Sequence, residues 1–303
     1  MTTDLPIAYA GEPGAFAEDA VIAAFGDVSR TPLGSFREVF EAVAAGDAAA
    51  GVVPIENVIN GTVRENYDLL LEFPLAIRGE IVVPVELCLA ALPGQRLDDI
   101  QRVYSHIQAL GQAEGFLRQR PWQLLTTYNT AGAGKSIVDR DERGAAAVLS
   151  PRAAAVFGLE ILAGDIGDAA DNRTRFIIIG PPSVDEAAGM PAIEGAAPTS
   201  GIDAAAAASA TDGPWRTTLA FGVRNEPGSL IRALRVFADR GVNLSRLESR
   251  PSRSRAWEYV FWTDVDGATS GTDVAALTDL AAVTTFVRVL GSYRRASEPP
   301  NGD

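Results

Sequence analysis

The sequence predicts an α/β protein in which a domain with a mostly parallel sheet is followed by a ferredoxin-like βαββαβ unit. The chain has 303 residues, enough for about two domains that each bury a core. Up to residue 180, short apolar segments alternate with helical patterns, an order typical of parallel sheets with helices on both faces. After residue 214 the order becomes strand, helix, strand, strand, helix, strand.

The first domain is expected to span residues 1–182. Its predicted strands are 7–10, 49–55, 81–92, 102–105, 145–149 and 176–179, and its predicted helices are 16–25, 36–45, 107–119 and 151–157. Ser35 is the expected N-cap of the second helix, and Gly46 its stop. The apolar run 81–92 fits either one long strand or a crossover between two lobes. We expect a ligand at the carboxyl ends of the strands, where the loops begin.

Residues 183–214 separate the two domains. They are rich in Ala, Gly, Ser, Thr and Pro without apolar periodicity, so we expect a flexible linker. The second domain, residues 215–296, has predicted strands at 217–223, 242–249, 257–263 and 286–293 and predicted helices at 229–239 and 273–282, and a tail 297–303 follows. Its exposed sheet edge favours pairing with a second copy of the chain.

The composition excludes several functional classes. The 26 Lys and Arg against 39 Asp and Glu give a formal charge of −13, so the chain lacks the general basic surface that binds nucleic acid. One cysteine, Cys88, and one histidine, His106, exclude an internal disulfide and metal sites that need several of either. We expect neither a metal nor another cofactor. The first residues carry no basic signal segment, and no apolar run approaches about 20 residues, so we expect a cytoplasmic protein that does not bind membranes.

Residues 129–136 imitate a phosphate-binding loop. A P-loop needs glycine where Asn129 stands, because the backbone must curl around a phosphate, so nucleotide hydrolysis is disfavoured. Thr130 nevertheless opens a helix whose free N–H groups are a usable anion site. Ser105 and His106 are neighbours on a strand and point to opposite faces, so they do not form a nucleophile–base pair, and His106 is expected to support a helix start.

Two polar segments lie at strand ends, and each has two interpretations. Glu56 and Asn57 leave a buried strand and precede the Asn60-Gly61 turn, so they either line a cleft or form a turn with a helix cap. The segment Asp171–Arg175 directly precedes the strand Phe176–Ile179 and is either a loop with solvated arginines or part of a site. Taken singly, these residues leave both interpretations open.

Five segments in order favour one family. They are Gly11-Glu12-Pro13-Gly14-Ala15-Phe16, Pro54-Ile55-Glu56-Asn57, Ser105-His106-Ile107-Gln108-Ala109-Leu110-Gly111-Gln112, Thr174-Arg175-Phe176 and Glu248-Ser249-Arg250-Pro251. With this order and spacing the chain resembles the prephenate dehydratase family over roughly residues 5–295, except the linker. The resemblance implies a two-lobed, periplasmic-binding-protein-like catalytic domain with the active site in its cleft, followed by an ACT domain.

The resemblance carries site residues over by position. Thr174 matches the threonine regarded as essential in the family's Thr-Arg-Phe motif. The matches to the substrate site are Glu56, Asn57, Ser105 and Gln112, with Arg175 as the cation for a substrate carboxylate. Thr130 is a further substrate-binding candidate because of its helix start, and the resemblance does not supply it. The matches to the effector site are Gly228, Ser229, Leu230, Asn243, Leu244, Glu248, Ser249, Arg250 and Pro251. Val58 and Ile107 depart from the family's usual Ser and Pro, and Ser229 from its Ala.

The implied activity is that of a carbon–oxygen lyase that converts prephenate to phenylpyruvate by decarboxylative dehydration in L-phenylalanine biosynthesis. Formation of an aromatic ring drives this reaction, so neither a cofactor nor a covalent nucleophile is required. We expect Thr174 to donate a hydrogen bond to the departing hydroxyl, while Ser105, Gln112 and Asn57 fix the substrate. Glu56 is the expected proton donor if its carboxyl is dry enough to keep a proton.

The resemblance also implies L-phenylalanine as a feedback inhibitor bound by the ACT domain, and a homodimer or homotetramer. Three alternatives remain open from the sequence: an arogenate dehydratase, a prephenate decarboxylase that does not aromatise its substrate, and a non-catalytic solute-binding protein. The absent signal segment and the C-terminal domain disfavour the last of these.

Overall fold

The computed structural model describes residues 5–182, 214–251, 259–267 and 272–296. Apart from Pro214, the predicted linker 183–214 lies outside these ranges, as does the predicted tail 297–303. Contacts between residues divide the chain into two units. One unit comprises residues 1–68 and 82–176, and the other comprises 69–81 and 177–303. The predicted domain boundaries stay a prediction.

The first elements run from the N-terminus to the crossover. They are β1 (Ile7–Ala10), α1 (Phe16–Phe25), β2 (Arg30–Leu33), α2 (Phe36–Ala45), β3 (Ala50–Asn57), β4 (Gly61–Thr62), α3 (Arg64–Glu72) and β5 (Ala76–Pro84). Ser35 accepts the Glu38 N–H at 3.2 Å and Gly46 ends α2 in the left-handed conformation, which confirms the predicted cap and stop. The sequence pattern did not predict β2, β4 or α3. β4 is only two residues long, and α3 carries charges along much of its length, so neither shows a clear pattern.

The next elements build the second lobe and return to the first sheet. They are β6 (Cys88–Ala91), β7 (Arg102–Ser105), α4 (Ile107–Gln112), α5 (Glu114–Leu117), β8 (Gln123–Thr126), α6 (Thr130–Asp139), β9 (Ala145–Leu149), α7 (Pro151–Val156), β10 (Glu160–Ala163) and β11 (Arg173–Gly180). The prediction of a single helix over 107–119 was wrong. This segment forms two short helices that meet at Ala113, whose φ of −117° and ψ of 19° are not helical.

Two sheets form from these strands. The first has the order β2-β1-β3-β11-β5, with β4 paired to β3 and with β1 parallel to β2 and β3. The second has the order β10-β6-β9-β7-β8, and it is mixed rather than mostly parallel because β6 is antiparallel to both of its neighbours. The apolar run 81–92 is therefore the crossover. β5 ends at Pro84, which has no N–H for a ladder, and β6 begins at Cys88 in the other sheet.

Buried strands flanked by helices form the core of the second lobe. Side chains on one face of this sheet, such as Leu89 and Val148, pack with residues of α4 and α5. Those on the other face, such as Cys88 and Leu149, pack with residues of α6 and α7. Cys88 is fully buried, as the sequence predicted, and burial raises the pKa of its thiol to about 11.

The C-terminal part is the predicted ferredoxin-like unit. Its elements are β12 (Trp215–Val223), α8 (Ser229–Ala238), β13 (Leu244–Pro251), β14 (Tyr259–Asp266), α9 (Thr272–Val283) and β15 (Phe286–Arg294). The strands form an antiparallel sheet of order β13-β14-β12-β15. Phe221 and Phe261 stack in its core with ring centroids 5.4 Å apart. Within the described ranges every helix is too short or too polar to cross a bilayer.

The second unit holds the segment 69–81 against the ferredoxin-like sheet. Arg216 Nη1 lies 2.7 Å from Glu80 Oε2, and both side chains are nearly inaccessible to solvent. Arg288 donates to the carbonyls of Leu71 and Phe73, both at 2.7 Å, so its charge meets the C-terminal end of α3. The contact is therefore built from buried ionic and capping interactions.

Candidate active site

The polar segment that ends β3 and the one that starts β11 meet at Asn57. Its Nδ2 has two N–H groups and lies 2.8 Å from Asn172 Oδ1, 3.0 Å from the Arg173 carbonyl oxygen and 3.0 Å from Thr174 Oγ1, so two of these acceptors share one N–H. Asn57, Asn172 and Thr174 are 9%, 7% and 8% exposed. The structure thus joins two of the predicted site residues, Asn57 and Thr174, across 117 positions of sequence.

The turn after β3 holds Asn57 in place. Its Oδ1 accepts the N–H groups of Ile59 at 3.0 Å and Asn60 at 2.9 Å, a local pattern by which asparagine stabilises turns. The chain then returns through Gly61, whose φ of 74° suits glycine, and pairs with β3. The Asn57 side chain thus stabilises the turn through its oxygen and contacts Thr174 through its nitrogen, so the two interpretations of this segment do not exclude each other.

Glu56 and Arg175 form an ion pair in the neighbouring positions of the same strands. Arg175 Nη2 lies 3.3 Å from Glu56 Oε2, and the Glu56 side chain is 38% exposed. The expectation that Glu56 donates a proton depended on a dry, protonated carboxyl. Glu56 is instead partly exposed and paired with arginine, and its role as the proton donor stays a prediction. The pair also engages part of the guanidinium that we expected to bind a substrate carboxylate.

Ser105 and His106 do not contact each other through their side chains. Ser105 is fully buried, and its Oγ donates to the Val148 carbonyl at 2.6 Å. His106 is the N-cap of α4, with Nδ1 accepting the Gln108 N–H at 3.3 Å, which confirms its predicted helix-start role. Burial lowers the pKa of His106 and favours the neutral ring that accepts this bond. Within the described ranges no three His, Cys, Asp or Glu side chains are grouped to hold a metal ion.

Gln112 and Thr130 stay predictions. Gln112 ends α4 and is half-buried. Thr130 is the first residue of α6, whose N-cap is the side chain of Asn129. Among the hydrogen bonds of the described residues, none joins either side chain to Thr174.

The segment that imitates a P-loop is a packing element. A Cβ on Gly134 would lie 2.9 Å from Leu149 Cδ2, so the glycine lets α6 approach β9 closely. Lys135 Nζ lies 3.3 Å from Glu12 Oε2 and pairs with that carboxylate. Both contacts give this segment a structural role, and the expectation that it does not hydrolyse nucleotides stays a prediction.

The sequence pattern missed a polar group around Gly14, the residue that ends the loop after β1. Glu18 accepts the Gly14 N–H at 2.6 Å and pairs with Arg152 and Arg30, while Ser150 donates to the Gly14 carbonyl. Burial raises the pKa of Glu18, but the bonds from Arg152, Gly14 and Arg30 outweigh it and hold that pKa below its usual value. Ser150 and Arg152 lie more than 130 positions from Gly14 and Glu18, so no local motif shows their contacts.

The predicted effector residues lie at the start of α8 and along β13. Gly228 precedes α8 with φ 81°, and Ser229 is buried with its Oγ accepting from Arg232 at 2.9 Å. Along β13, half-buried residues alternate with exposed ones, and Glu248 pairs with Arg246 at 2.7 Å. β13 is at the edge of its sheet. Which of these residues bind an effector stays a prediction.

The two sheets flanked by helices, the buried polar group at strand ends and the ferredoxin-like unit that follows define the class of this chain as α/β with a small C-terminal α+β domain. The prephenate dehydratase family model matches residues 7–184, and the ACT domain model matches residues 217–276. The chain belongs to the prephenate dehydratase family and carries a C-terminal ACT domain. The predicted family, fold class and lyase class of enzyme are confirmed.

Relatives and solved structures agree with this assignment. The bifunctional chorismate mutase/prephenate dehydratase of Aquifex aeolicus is 37% identical over 96% of this chain and 74% of its own length. The chloroplastic arogenate dehydratase/prephenate dehydratase 2 of Arabidopsis thaliana is 37% identical over 95% and 72%. The prephenate dehydratase of Arthrobacter aurescens, solved in complex with L-Phe, is 34% identical with a TM-score of 0.80 over 98% and 92%. GqqA, described as a novel type of quorum quenching acylase, is 32% identical with a TM-score of 0.79 over 96% and 98%.

Proposed function

We propose that this chain catalyses the decarboxylative dehydration of prephenate to phenylpyruvate and that L-phenylalanine inhibits it through the ACT domain. Family membership and the names of the relatives support the reaction. The observation that carries the proposal is the buried contact of Asn57 with Thr174, which presents a threonine hydroxyl from a strand start.

The reaction needs positioning and charge stabilisation more than covalent chemistry. The bond from the ring to its carboxylate breaks and releases CO2, and its electron pair moves through the ring. The bond to the ring hydroxyl breaks at the far end, and the leaving hydroxide takes up a proton to become water. As this oxygen gains charge, a hydrogen bond from Thr174 strengthens, which stabilises the transition state more than the bound substrate.

Thr174→Ala tests the proposal. We expect kcat to fall about 100- to 1,000-fold, the cost of one donor to a developing oxyanion. Thr126→Ala, at an exposed threonine at the end of β8, is the matched control and should keep the wild-type rate. The measurement is phenylpyruvate absorbance after incubation with prephenate, with circular dichroism to confirm folding. Near-normal turnover by folded Thr174→Ala would refute the catalytic role.

Arogenate is the main alternative substrate, since the Arabidopsis relative is named for both dehydratase activities. It differs from prephenate by an amino group in place of a keto oxygen. Parallel incubation with each substrate decides, because only arogenate gives phenylalanine directly. A non-aromatising decarboxylase would release CO2 without any aromatic absorbance, so the same assay separates it.

An acylase activity is a second candidate only because of the likeness to GqqA. Acyl transfer by a serine needs a hydroxyl that a base can deprotonate. Here Ser105 donates to a backbone carbonyl and Ser150 donates to the Gly14 carbonyl, while His106 caps a helix. These contacts favour the lyase, and hydrolysis of an N-acyl substrate by the wild type is the measurement that would reverse this preference.

Regulation by L-phenylalanine is supported by the ACT domain and by the Arthrobacter enzyme solved in complex with L-Phe. Within the second unit, Arg288 of the ACT domain bonds the carbonyls of Leu71 and Phe73 at the end of α3. A ligand that favours one arrangement of the ACT domain would then shift the population of active enzyme. We also propose that the chain forms a homodimer or homotetramer and that it is located in the cytoplasm.

Arg250→Ala tests the effector site. We expect the L-phenylalanine concentration for half-inhibition to rise about 10-fold or more, since a hydrogen bond to a charged group contributes roughly 1.5–3 kcal/mol. Arg224→Ala, an exposed arginine of the same domain, is the control. An inhibition curve that superimposes on the wild type would reject Arg250 as a ligand.

Light scattering with and without L-phenylalanine gives the oligomeric state, and a monomer under both conditions contradicts the proposed homodimer or homotetramer.

A further inference from the structure

We infer that Asn172, acting through Asn57, directs the hydroxyl proton of Thr174 toward the leaving group of the substrate. This inference rests on the proposed function and adds two positioning residues to it. It is carried by the hydrogen-bonding polarity of one buried chain of side chains, Asn172 to Asn57 to Thr174.

The orientation of the Asn57 amide is fixed by partners that have only one hydrogen-bonding role. The two backbone N–H groups of the turn 58–60 can only donate, so they require the oxygen Oδ1. The Arg173 carbonyl can only accept, so it requires Nδ2. Asn172 Oδ1 adds a second acceptor at 2.8 Å. A flipped amide would oppose like groups at both turn N–H groups and at the Arg173 carbonyl, so the amino group of Asn57 and not its oxygen faces Thr174.

This orientation determines what the Thr174 hydroxyl can do. A hydroxyl has one proton and two acceptor lone pairs. Thr174 Oγ1 accepts from Asn57 Nδ2 at 3.0 Å, so the proton of Thr174 cannot point to Asn57. Accepting that bond also polarises the O–H group and makes it a better donor. The pair therefore gives the site a directed donor that keeps its own proton while charge develops on the departing oxygen.

A rival role for Asn57 is direct contact with the substrate, and the two roles predict different kinetics. A direct ligand that binds substrate and transition state equally raises KM when removed. A positioning residue lowers kcat with little change in KM, and its effect vanishes once Thr174 has no hydroxyl to direct. The test therefore compares rate constants in single and double variants.

The first pair of variants changes Asn172. Asn172→Asp keeps an acceptor oxygen for Asn57, whereas Asn172→Leu has similar volume and none. We expect Asn172→Leu to lose about 10-fold in kcat and Asn172→Asp less than about threefold, with KM within about twofold for both. Equal losses in the two variants would overturn the role of Asn172, because volume and backbone contacts are matched between them.

The second comparison reverses the polarity at Asn57. In Asn57→Asp a carboxylate accepts the Thr174 proton, so kcat should fall about 100-fold or more. The double variant Asn57→Asp with Thr174→Val should have the same kcat as Thr174→Val alone. Losses that multiply would show that Asn57 acts without Thr174 and would overturn the inference. Urea unfolding checks each variant, and if Asn57→Asp does not fold, the Asn172 pair decides.

The outcomes separate this inference from the proposed function. A wild type that converts neither prephenate nor arogenate overturns the proposed function and the inference together. An active wild type with multiplicative losses, or with a raised KM as the main effect, overturns the positioning role alone.

Discussion

Removal of Glu80 should destabilise the chain more than most single substitutions. Glu80 and Arg216 are 2% and 6% exposed, and Arg216 Nη1 lies 2.9 and 2.7 Å from the two Glu80 oxygens. The Ala296 N–H also donates to Glu80 Oε1 at 3.1 Å. Glu80→Ala leaves a buried guanidinium without its counter-charge, which costs about 3–5 kcal/mol, and the lost backbone bond adds roughly 1 kcal/mol. We therefore expect the free energy of unfolding to fall by about 4 kcal/mol or more.

Urea unfolding followed by circular dichroism measures this loss. Glu86→Ala, at an exposed glutamate, is the matched control and should change the free energy of unfolding by less than about 0.5 kcal/mol. Replacing Glu80 and Arg216 together by leucine removes both charges, so most of the stability should return. A loss below about 1 kcal/mol in Glu80→Ala, or a double variant as unstable as the sum of the single ones, would refute the reasoning.

Three further predictions follow from single groups. Gly14→Ala should lower the free energy of unfolding by about 2–4 kcal/mol, because Gly14 has φ +85° and a Cβ would lie 2.6 Å from Ala153 Cα; wild-type stability would contradict this. Cys88, the only cysteine, should resist a thiol reagent at pH 8 in the folded protein and react in urea, since its pKa is raised to about 11; fast native labelling would contradict its burial. Burial raises the pKa of Glu18, but hydrogen bonds, the strongest from Arg152, hold it below its usual value. Glu18 therefore stabilises the fold at pH values above its unfolded pKa, and this contribution is lost as pH falls through its folded pKa. Glu18→Gln should therefore flatten the acid side of the stability profile, and an unchanged profile would exclude the linkage.

The sequence predicted elements whose pattern is local. The Ser35 cap and Gly46 stop of α2, the βαββαβ order and the burial of Cys88 depend on residues close together in the chain, and each is observed. The crossover at Pro84 remained one of two alternatives, because an apolar run does not state which sheet it joins. For the same reason, the sequence did not predict that the second sheet is mixed and not mostly parallel.

Contacts between distant residues decided what the sequence could not predict at the site. The expectation that Glu56 donates a proton assumed a dry cleft, whereas the fold places Arg175 beside it and leaves it partly exposed. Asn172 was part of a polar segment with no feature to mark it, and only the fold places its carbonyl oxygen against Asn57. Residue types at strand ends thus indicated where the candidate site lies, whereas the surroundings of each group depended on its partner.

The number of bonds each group makes determines which variants report on catalysis alone. Thr174 accepts one hydrogen bond from Asn57, so Thr174→Val should lose about 1 kcal/mol of stability while it removes the donor that we propose for the reaction. Asn57 bonds five groups, two backbone N–H and three acceptors, so its replacement leaves several buried polar atoms without partners. A loss of activity in an Asn57 variant therefore combines stability with chemistry. In Thr174→Val the donor is already absent. Comparing kcat of the Asn57 variant with and without Thr174→Val therefore isolates the part of the loss that comes from the orientation of the Thr174 proton.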